Sequence, residues 1–465
     1  MRNNPILVLA AVLLSSVSLP ITLTGASVAL VEIASDLQAD LAPVQWVVTG
    51  YNATFASFML ASGSLADLIG RRRVYTSGLI IFVVSGLLST VATDIVLLDV
   101  VRALAGVGGA AAAASGSALL AASFQGPARA RVFGLFGTAL GIGLAFGPTI
   151  AGVLVNAFGW RAVFGVPSVA CLLVLGVVRL LPESRDPRSR RVDWAGTVSF
   201  TAGLLLLIFG FVEGPALGWT SPAVLGAFVA SVVLFAAFVV IEYRTREPLL
   251  DLSLLTTPRF LGISIAAATI VSVLIPLLIY LPSYFTRVLG MGPDQAGAVL
   301  IMLTAPTLVL PSLAGLITRW VPPAVIVVLA VVLVGLGSAW LALSGPASTA
   351  LGLAGPLLTI GFGVGVSTGL IDGVALSSVG PERAGTASGL FNTVRLGGET
   401  VAIAVFGAVL AAMTAGRLAE PGFAGGLRVV LWSMTGLALV TVLVVTVLLR
   451  APARTTGRTP EPVSR

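Results

Sequence analysis

The chain has 465 residues, of which 57% are hydrophobic and only 10% are charged, and its formal net charge is +7. Soluble proteins carry about 25% charged residues. The composition therefore excludes a water-soluble protein, and the chain is expected to lie in a membrane. With no His and one Cys, the sequence also excludes the usual zinc, haem and iron–sulfur ligand sets and predicts no metal and no cofactor. The basic residues are spread thinly between apolar runs, which argues against a nucleic-acid partner.

Fourteen apolar runs are long enough to cross a bilayer as helices, which takes roughly 20 residues each. The first run is interpreted as a helix and not as a signal peptide, because Leu-Pro-Ile interrupts it and no small-residue cleavage site follows a short core. The sequence therefore predicts an all-α, multi-pass membrane protein. The predicted spans are residues 6–31, 44–66, 74–93, 96–121, 132–155, 162–181, 195–212, 223–241, 261–281, 297–317, 324–344, 350–371, 386–411 and 427–449.

The arginines predict the orientation of these spans. All 26 basic residues are Arg, and placing the N-terminus inside puts 19 of them in cytoplasmic segments and four in external ones. Under the positive-inside rule, this distribution predicts an even number of helices in the cytoplasmic membrane with both termini in the cytoplasm.

An internal repeat predicts the organisation of the chain. Gly126-Pro-Ala-Arg129 with Gly134-Leu-Phe-Gly-Thr138 recurs as Gly380-Pro-Glu-Arg383 with Gly389-Leu-Phe-Asn-Thr393, which favours duplicated halves. Spans 7 and 8 have no counterpart and are interpreted as an inserted pair. The predicted units are a six-helix half (1–181), a linker with two extra helices (182–258), a second six-helix half (259–450) and a disordered cytoplasmic tail (451–465).

The loop between spans 2 and 3 reads Gly63-Ser-Leu-Ala-Asp67-Leu-Ile-Gly70-Arg71-Arg72-Arg73. It resembles the signature loop of the major facilitator superfamily and lies on the cytoplasmic side, as it does in that family. Glycines permit a tight turn and a close helix approach, and arginines bind anionic headgroups. The resemblance implies that the loop stabilises one conformation of an alternating-access cycle, with Asp67 docking around Gly385 at the start of span 13.

Span 4 contains Arg102 within Leu98-Asp-Val-Val-Arg-Ala-Leu-Ala-Gly106, which is similar to a second pattern of that superfamily. An arginine in mid-span normally faces a cavity and has a partner, and Asp99, one turn earlier, is the expected one. Two interpretations stay open. The two residues form a static ion pair, or, as the resemblance implies, Arg102 modulates the proton affinity of a carboxyl during proton coupling.

Span 5 carries Gly134, Gly143, Gly147-Pro148 and Gly152. This spacing resembles the antiporter signature of drug-exporting members of the superfamily. Glycines four apart let another helix come close, and Pro148 frees a backbone carbonyl and bends the helix. A generic glycine packing face is the alternative. Together with the inserted pair, the pattern indicates the fourteen-helix drug/proton antiporter branch.

A proton-coupled exporter needs a carboxyl that gains and loses a proton. The branch commonly carries an aspartate in span 1, where this chain has Thr22. Asp372 is the first choice because no basic residue is near it in sequence, and Glu32 follows. The remaining candidates are Asp99 with Arg102, and Glu399 with Arg395, which are four apart on one helix face and can neutralise each other.

The resemblance implies proton-driven export of a hydrophobic small molecule, such as an antibiotic, drug or toxic amphiphile, by a protein that is not an enzyme and is expected to be a monomer. The cavity between the halves is expected to be lined by Trp46, Tyr51, Phe391 and Asn392, each of which can equally be a packing residue. Export of a physiological metabolite, lipid or siderophore is the alternative. An intramembrane transferase is disfavoured, because it needs clustered carboxylates or a His/Cys nucleophile system that the sequence lacks.

Overall fold

A computed structural model of the protein describes residues 5–184, 193–245, 250–318, 320–345, 349–379, 384–414 and 422–450. Within these ranges the regular secondary structure is helical, and they contain no strand. The α-helices are α1 (Pro5–Asp36), α2 (Leu41–Ile69), α3 (Arg71–Ser89), α4 (Ile95–Ser123), α5 (Gly126–Phe158), α6 (Arg161–Val177), α7 (Trp194–Leu217), α8 (Pro222–Arg244), α9 (Pro258–Arg287), α10 (Pro293–Thr304), α11 (Pro306–Ile317), α12 (Pro323–Leu343), α13 (Ala354–Ser367), α14 (Leu370–Ser377), α15 (Ala384–Met413) and α16 (Gly422–Arg450).

The sixteen helices of this part of the chain make fourteen crossings, because two crossings are each built from two short helices. α10 and α11 meet just before Pro306, which has no backbone N–H to continue a helical ladder. α13 and α14 are separated at Gly369, whose φ of +76° lies in the left-handed region that favours glycine. The fourteen-helix, all-α membrane fold is confirmed, although the predicted single helix 350–371 is in fact α13 and α14.

Hydropathy and packing explain why these segments span a bilayer. Thirteen helical segments of the described residues are long and apolar enough to cross a membrane. α2, with 29 residues, is long enough but carries several buried polar side chains, among them Gln45, Asn52 and Thr54. Conversely, α8 exposes Val229, Val232 and Val233 by 60–68%, as expected for a helix that faces lipid. Polar groups therefore face the interior of the bundle and apolar groups its outer surface.

The helices pack in two groups. α1–α6 pack on one another and form the N-terminal group, and α9–α16 form the C-terminal group. The inserted pair, α7 and α8, packs mainly on itself, and α7 also contacts α2 of the first group and α15 of the second. A hydrogen bond from Thr201 Oγ1 to the Ser57 carbonyl oxygen, 3.1 Å long, joins α7 to α2.

Alternating helix directions give the bundle two ends. The end at which α1 begins and α16 ends is called the terminal face, and the other end is called the opposite face. At the opposite face, Arg161 donates to the Asp36 carboxylate (2.7 Å) and to the Ala92 carbonyl oxygen (3.1 Å). These bonds join the end of α1, the α3–α4 turn and the start of α6.

Candidate functional site

Hydrogen bonds join the two groups in the half of the bundle nearer the opposite face. Ser27 Oγ on α1 donates to the Leu278 carbonyl oxygen on α9 (2.8 Å). Asn52 Nδ2 on α2 donates to Thr400 Oγ1 on α15 (3.2 Å). α5 and α10 are joined by Thr149 Oγ1, which donates to a carbonyl oxygen of α10 (2.8 Å). The pathway between the groups is therefore closed at this end.

Glycines of the antiporter-like pattern lie at close contacts within this closed end. Gly143 and Gly147 face the backbone and side chains of α1, and Gly152 faces the backbone carbonyl of Pro293 on α10. On α10, Gly297 faces the backbone of α5 in the same way. A methyl group at Gly297 would lie 2.6 Å from the Pro148 carbonyl oxygen. Only residues without a side chain allow backbones to come this close, so these positions let α5 pack on α1 and α10.

Towards the terminal face the groups are apart. Gly134, the first glycine of the same pattern, has nothing within 4 Å of the position that a side chain would take, and the same holds for Gly373 and Gly397 in the C-terminal group. The hydrogen bonds between the two groups named above all lie in the other half of the bundle. From this open space we infer a gap between the groups that opens at the terminal face and ends at the contacts near the opposite face.

The signature loop lies at the terminal face, where Gly70 has a φ of +119° and connects α2 directly to α3. Asp67 accepts a hydrogen bond from Arg71, 2.8 Å away. The sequence predicts that Asp67 docks around Gly385. The surroundings of Gly385 lie outside the described part of the chain, so this docking stays a prediction. Gly63 has nothing within 4 Å of the position that a side chain would take.

Glu183, which follows α6, is a partner of this loop that the sequence reasoning missed. Its carboxylate accepts from the Arg72 backbone N–H (3.0 Å) and lies 3.6 Å from the Arg72 side chain and 3.8 Å from that of Arg73. A carboxylate at a helix N-terminus is favourable because the first N–H groups there lack partners. The signal for this contact was the acidic residue directly after span 6 in a chain with few acidic residues.

Arg102 is almost completely buried, but its partner is not Asp99. The guanidinium donates from Nε to the Val47 carbonyl oxygen (2.9 Å) and from Nη2 to that of Thr22 (3.5 Å), and it lies 4.4 Å from the centroid of the Tyr51 ring. The expected ion pair is absent because Arg102 points between α1 and α2. Tyr51 is 1% exposed beneath it, so this candidate cavity residue packs inside the N-terminal group.

Asp99 instead lies near the inserted pair. One carboxylate oxygen of Asp99 is buried without a hydrogen-bond partner, and its nearest charged neighbours include Glu213 of α7 as well as Arg102. Glu213 accepts a hydrogen bond from Trp46 Nε1, 2.7 Å away. Trp46, a second candidate cavity residue, therefore faces α7. Glu213 escaped prediction because the predicted span 7 ended at residue 212, whereas α7 continues to Leu217.

The C-terminal group places three candidate coupling residues together. Arg395 on α15 forms an ion pair with Asp372 on α14 at 3.3 Å, with 32% and 43% of the two side chains exposed. Asp372 has no basic residue near it in sequence, but the packing of α14 on α15 brings Arg395 to it. Glu399 is one turn further along α15 on the same face and is only 6% exposed.

Glu399 lies where the gap ends. Its neighbour Thr400 accepts the hydrogen bond from Asn52 that joins the two groups, whereas Arg395 and Asp372, one turn closer to the terminal face, are partly exposed. Phe391 is 2% exposed and packs beneath Arg395, 5.7 Å from its guanidinium carbon. Asn392 is half-buried and donates to the Ser388 carbonyl oxygen of its own helix.

Glu32 lies apart from this cluster. It is on the last turns of α1, close to the opposite face, where its carboxylate lies near Gly159. The structure thus brings Asp372, Arg395 and Glu399 together and leaves Glu32, Asp99 and Arg102 elsewhere. In the described part of the chain, no group of three His, Cys, Asp or Glu side chains is arranged to hold a metal ion.

Known proteins resemble this chain in sequence over most of its length. It is 33% identical over 384 residues to the multidrug resistance protein Stp of Mycobacterium tuberculosis (strain ATCC 25618 / H37Rv), covering 81% of this chain and 70% of that protein. It is 33% identical to the cephamycin export protein of Amycolatopsis lactamdurans over 85% of this chain and 82% of that protein. It is 30% identical to the tetracenomycin C resistance and export protein of Streptomyces glaucescens over 88% and 77%, respectively.

Solved structures share the fold. The POT family transporter PepTSo superposes with a TM-score of 0.70 at 14% identity, covering 97% of this chain and 98% of that one. A structure described as giving insights into substrate recognition in proton-dependent oligopeptide transporters superposes with a TM-score of 0.65 at 15% identity over 95% and 98%. The family model of the Major Facilitator Superfamily matches residues 12–402. The chain therefore belongs to the Major Facilitator Superfamily, and its role is transport and not catalysis.

Proposed function

We propose that this protein exports hydrophobic small molecules across the cytoplasmic membrane in exchange for protons, and that Glu399 carries the coupling proton. The observation that supports this most is the position of Glu399 at the closed end of the gap, one turn beyond the Arg395–Asp372 ion pair. In this conformation a carboxyl at that point is buried just beyond the partly exposed ion pair. It lies beside the contacts that must separate for the other side to open.

Charge balance gives the coupling its physical basis. Arg395 carries one positive charge and has two carboxyls within reach, its ion-pair partner Asp372 and Glu399 on the next turn. An unpaired charge inside a membrane protein is costly. While Arg395 pairs with Asp372, Glu399 is left to hold a proton, and loss of that proton makes the two carboxyls compete for Arg395. Proton release from Glu399 therefore changes the pairing of Arg395 at the contact between the two groups.

The orientation follows from the positive-inside rule. Among the described residues, the arginines at or near the terminal face are Arg71, Arg72, Arg73, Arg131, Arg179, Arg244, Arg259 and Arg450, and those near the opposite face are Arg161, Arg287 and Arg428. The terminal face is accordingly placed in the cytoplasm with both termini. The gap then opens to the cytoplasm, which is the conformation in which an exporter loads its cargo.

The relatives support an antibiotic or drug as the cargo. They include a multidrug resistance protein and export proteins named for single antibiotics. Since Thr22 stands where drug-exporting relatives of this branch commonly have an aspartate, neutral and zwitterionic compounds are expected as well as cations. The pathway lies between two groups of one chain, which supports a monomer as the transporting unit.

The test is transport by purified protein in proteoliposomes under an imposed pH gradient. With an acidic lumen and inverted orientation, the wild type should accumulate a hydrophobic dye or antibiotic, and a proton ionophore should abolish accumulation. Asp372→Asn should lose most of this accumulation, because Arg395 is then free to pair permanently with Glu399. Accumulation that ignores the gradient, or full activity of Asp372→Asn, would contradict the proposed coupling.

A further inference from the structure

Three helices meet at the closed end of the gap, and two of their side chains bind the backbone of α15. Gln45 of α2 donates from Nε2 to the Gly407 carbonyl oxygen (3.2 Å), and Tyr280 of α9 donates its hydroxyl to the Ile403 carbonyl oxygen (2.7 Å). Gln45 is 4% exposed and Tyr280 5% exposed. Because residues 403 and 407 are one turn apart on one face of α15, the two side chains lie side by side.

Of these two hydrogen bonds, only the one from Gln45 joins the two groups. Gln45 belongs to the N-terminal group, whereas Tyr280 and Gly407 both belong to the C-terminal group. Tyr280 and α15 can therefore stay together when the groups move apart, while the Gln45 bond must break. The bond between Gln45 and Gly407 consequently exists only in conformations that are closed at the opposite face.

Gly407 leaves room for both side chains. A methyl group at this position would lie 2.5 Å from the Tyr280 hydroxyl oxygen and 3.3 Å from each terminal atom of the Gln45 amide. The first distance is too short for a non-bonded contact, so the Tyr280 hydroxyl would have to move, and the contacts of the methyl group with the Gln45 amide would be tight as well. Gly397, nearly three turns earlier on the same helix, has nothing within 4 Å of its own side-chain position.

We propose that Gly407, Tyr280 and Gln45 form a gate at the opposite face, and that the missing side chain at position 407 is what allows the gate to close. The proposal rests on the alternating access that the proposed export function requires. Gly407 is a positioning residue in this scheme, since it touches neither cargo nor proton. Filling the space costs less when the groups are apart, because the tight contacts between the added methyl group and the Gln45 amide are then lost.

The experiment measures the distance between spin labels on the two groups at the opposite face, in protein whose free cysteine is replaced (Cys171→Ser). The labels are placed on exposed residues, Thr93 between α3 and α4 and Ala298 on α10. Gly407→Ala should shift the ratio of long to short distances by about tenfold relative to the parent, in the range expected for over-packing. Gly397→Ala should leave the ratio unchanged.

Removing the Gln45 amide gives the decisive variant. Gln45→Ala combined with Gly407→Ala should restore the ratio found in Gln45→Ala alone, because the added methyl group then meets no amide from the other group. An unchanged distance distribution in Gly407→Ala, or a double variant that stays shifted, would overturn the proposal. Restoration in the double variant also shows that Gly407→Ala still folds.

The spin-label distances require neither a pH gradient nor a substrate. The distance measurements can therefore contradict the proposed gate while the transport assay supports proton coupling. They can equally support the gate while the transport assay contradicts proton coupling. The two proposals are tested separately.

Discussion

The N-terminal group contains a buried cation that binds backbone and not a carboxylate. The sequence predicted a functional or paired arginine at position 102, and the burial of Arg102 agrees with that. The partner was misjudged, because sequence spacing suggests only neighbours on the same helix, whereas Arg102 reaches the carbonyl oxygens of Val47 and Thr22 on other helices. The Arg395–Asp372 pair was missed for the same reason, since its members are 23 positions apart.

Stability measurements test whether Arg102 is held by backbone carbonyl oxygens or by an ion pair with Asp99. Arg102→Ala should lower the free energy of unfolding by about 2–4 kcal/mol, because it leaves buried carbonyl oxygens without donors and opens a cavity. Asp99→Asn should change it by less than about 1 kcal/mol, because the buried oxygen of Asp99 makes no hydrogen bond. Unfolding in detergent by heat or denaturant is the measurement. A comparable loss of stability in both variants would indicate that the two residues form a pair after all.

The sequence predicted where helices cross the membrane, but it did not predict where two of these crossings are interrupted. All fourteen runs correspond to crossings of the bundle, because roughly 20 apolar residues in lipid have few alternatives to a helix. The breaks before Pro306 and at Gly369 depend on local backbone geometry and were not foreseen, although the proline and glycine were visible. The end of α7 was placed too early, because Glu213 reads as a loop residue until its hydrogen bond from Trp46 is known.

The glycines of α5 make a prediction about this helix. Gly152→Ala should reduce transport by at least about tenfold, since its methyl group would collide with the backbone of Pro293 on α10 and oppose closure of the opposite face. Gly134→Ala is the matched control, because it lies on the same helix with open space around it and gains the same helix propensity. Initial rates of dye efflux from cells, corrected for the amount of protein in the membrane, give the comparison. Equal rates for the two variants would refute a role for the α5–α10 contact.

At the scale of the whole molecule, contacts and charges are arranged along one direction. From the terminal face inwards, the gap passes the partly exposed Arg395–Asp372 pair, then the buried Glu399, and ends at Gln45, Tyr280 and Gly407. The sequence predicted the fold and the candidate carboxyls, because charges inside membrane spans are rare and stand out. It did not rank the carboxyls, because their order along the gap depends on how fourteen helices pack. That order favours Glu399 over Asp372, Glu32 and Asp99 as the proton carrier.

Proton release on substrate binding tests this most directly. Substrate is added to purified protein in weakly buffered detergent solution, and the pH is recorded with a dye. The wild type and Glu213→Gln, which alters a carboxyl outside the gap, should release protons when the substrate binds, whereas Glu399→Gln should bind the substrate and release none. Undiminished proton release by Glu399→Gln would contradict the assignment of the coupling proton to Glu399.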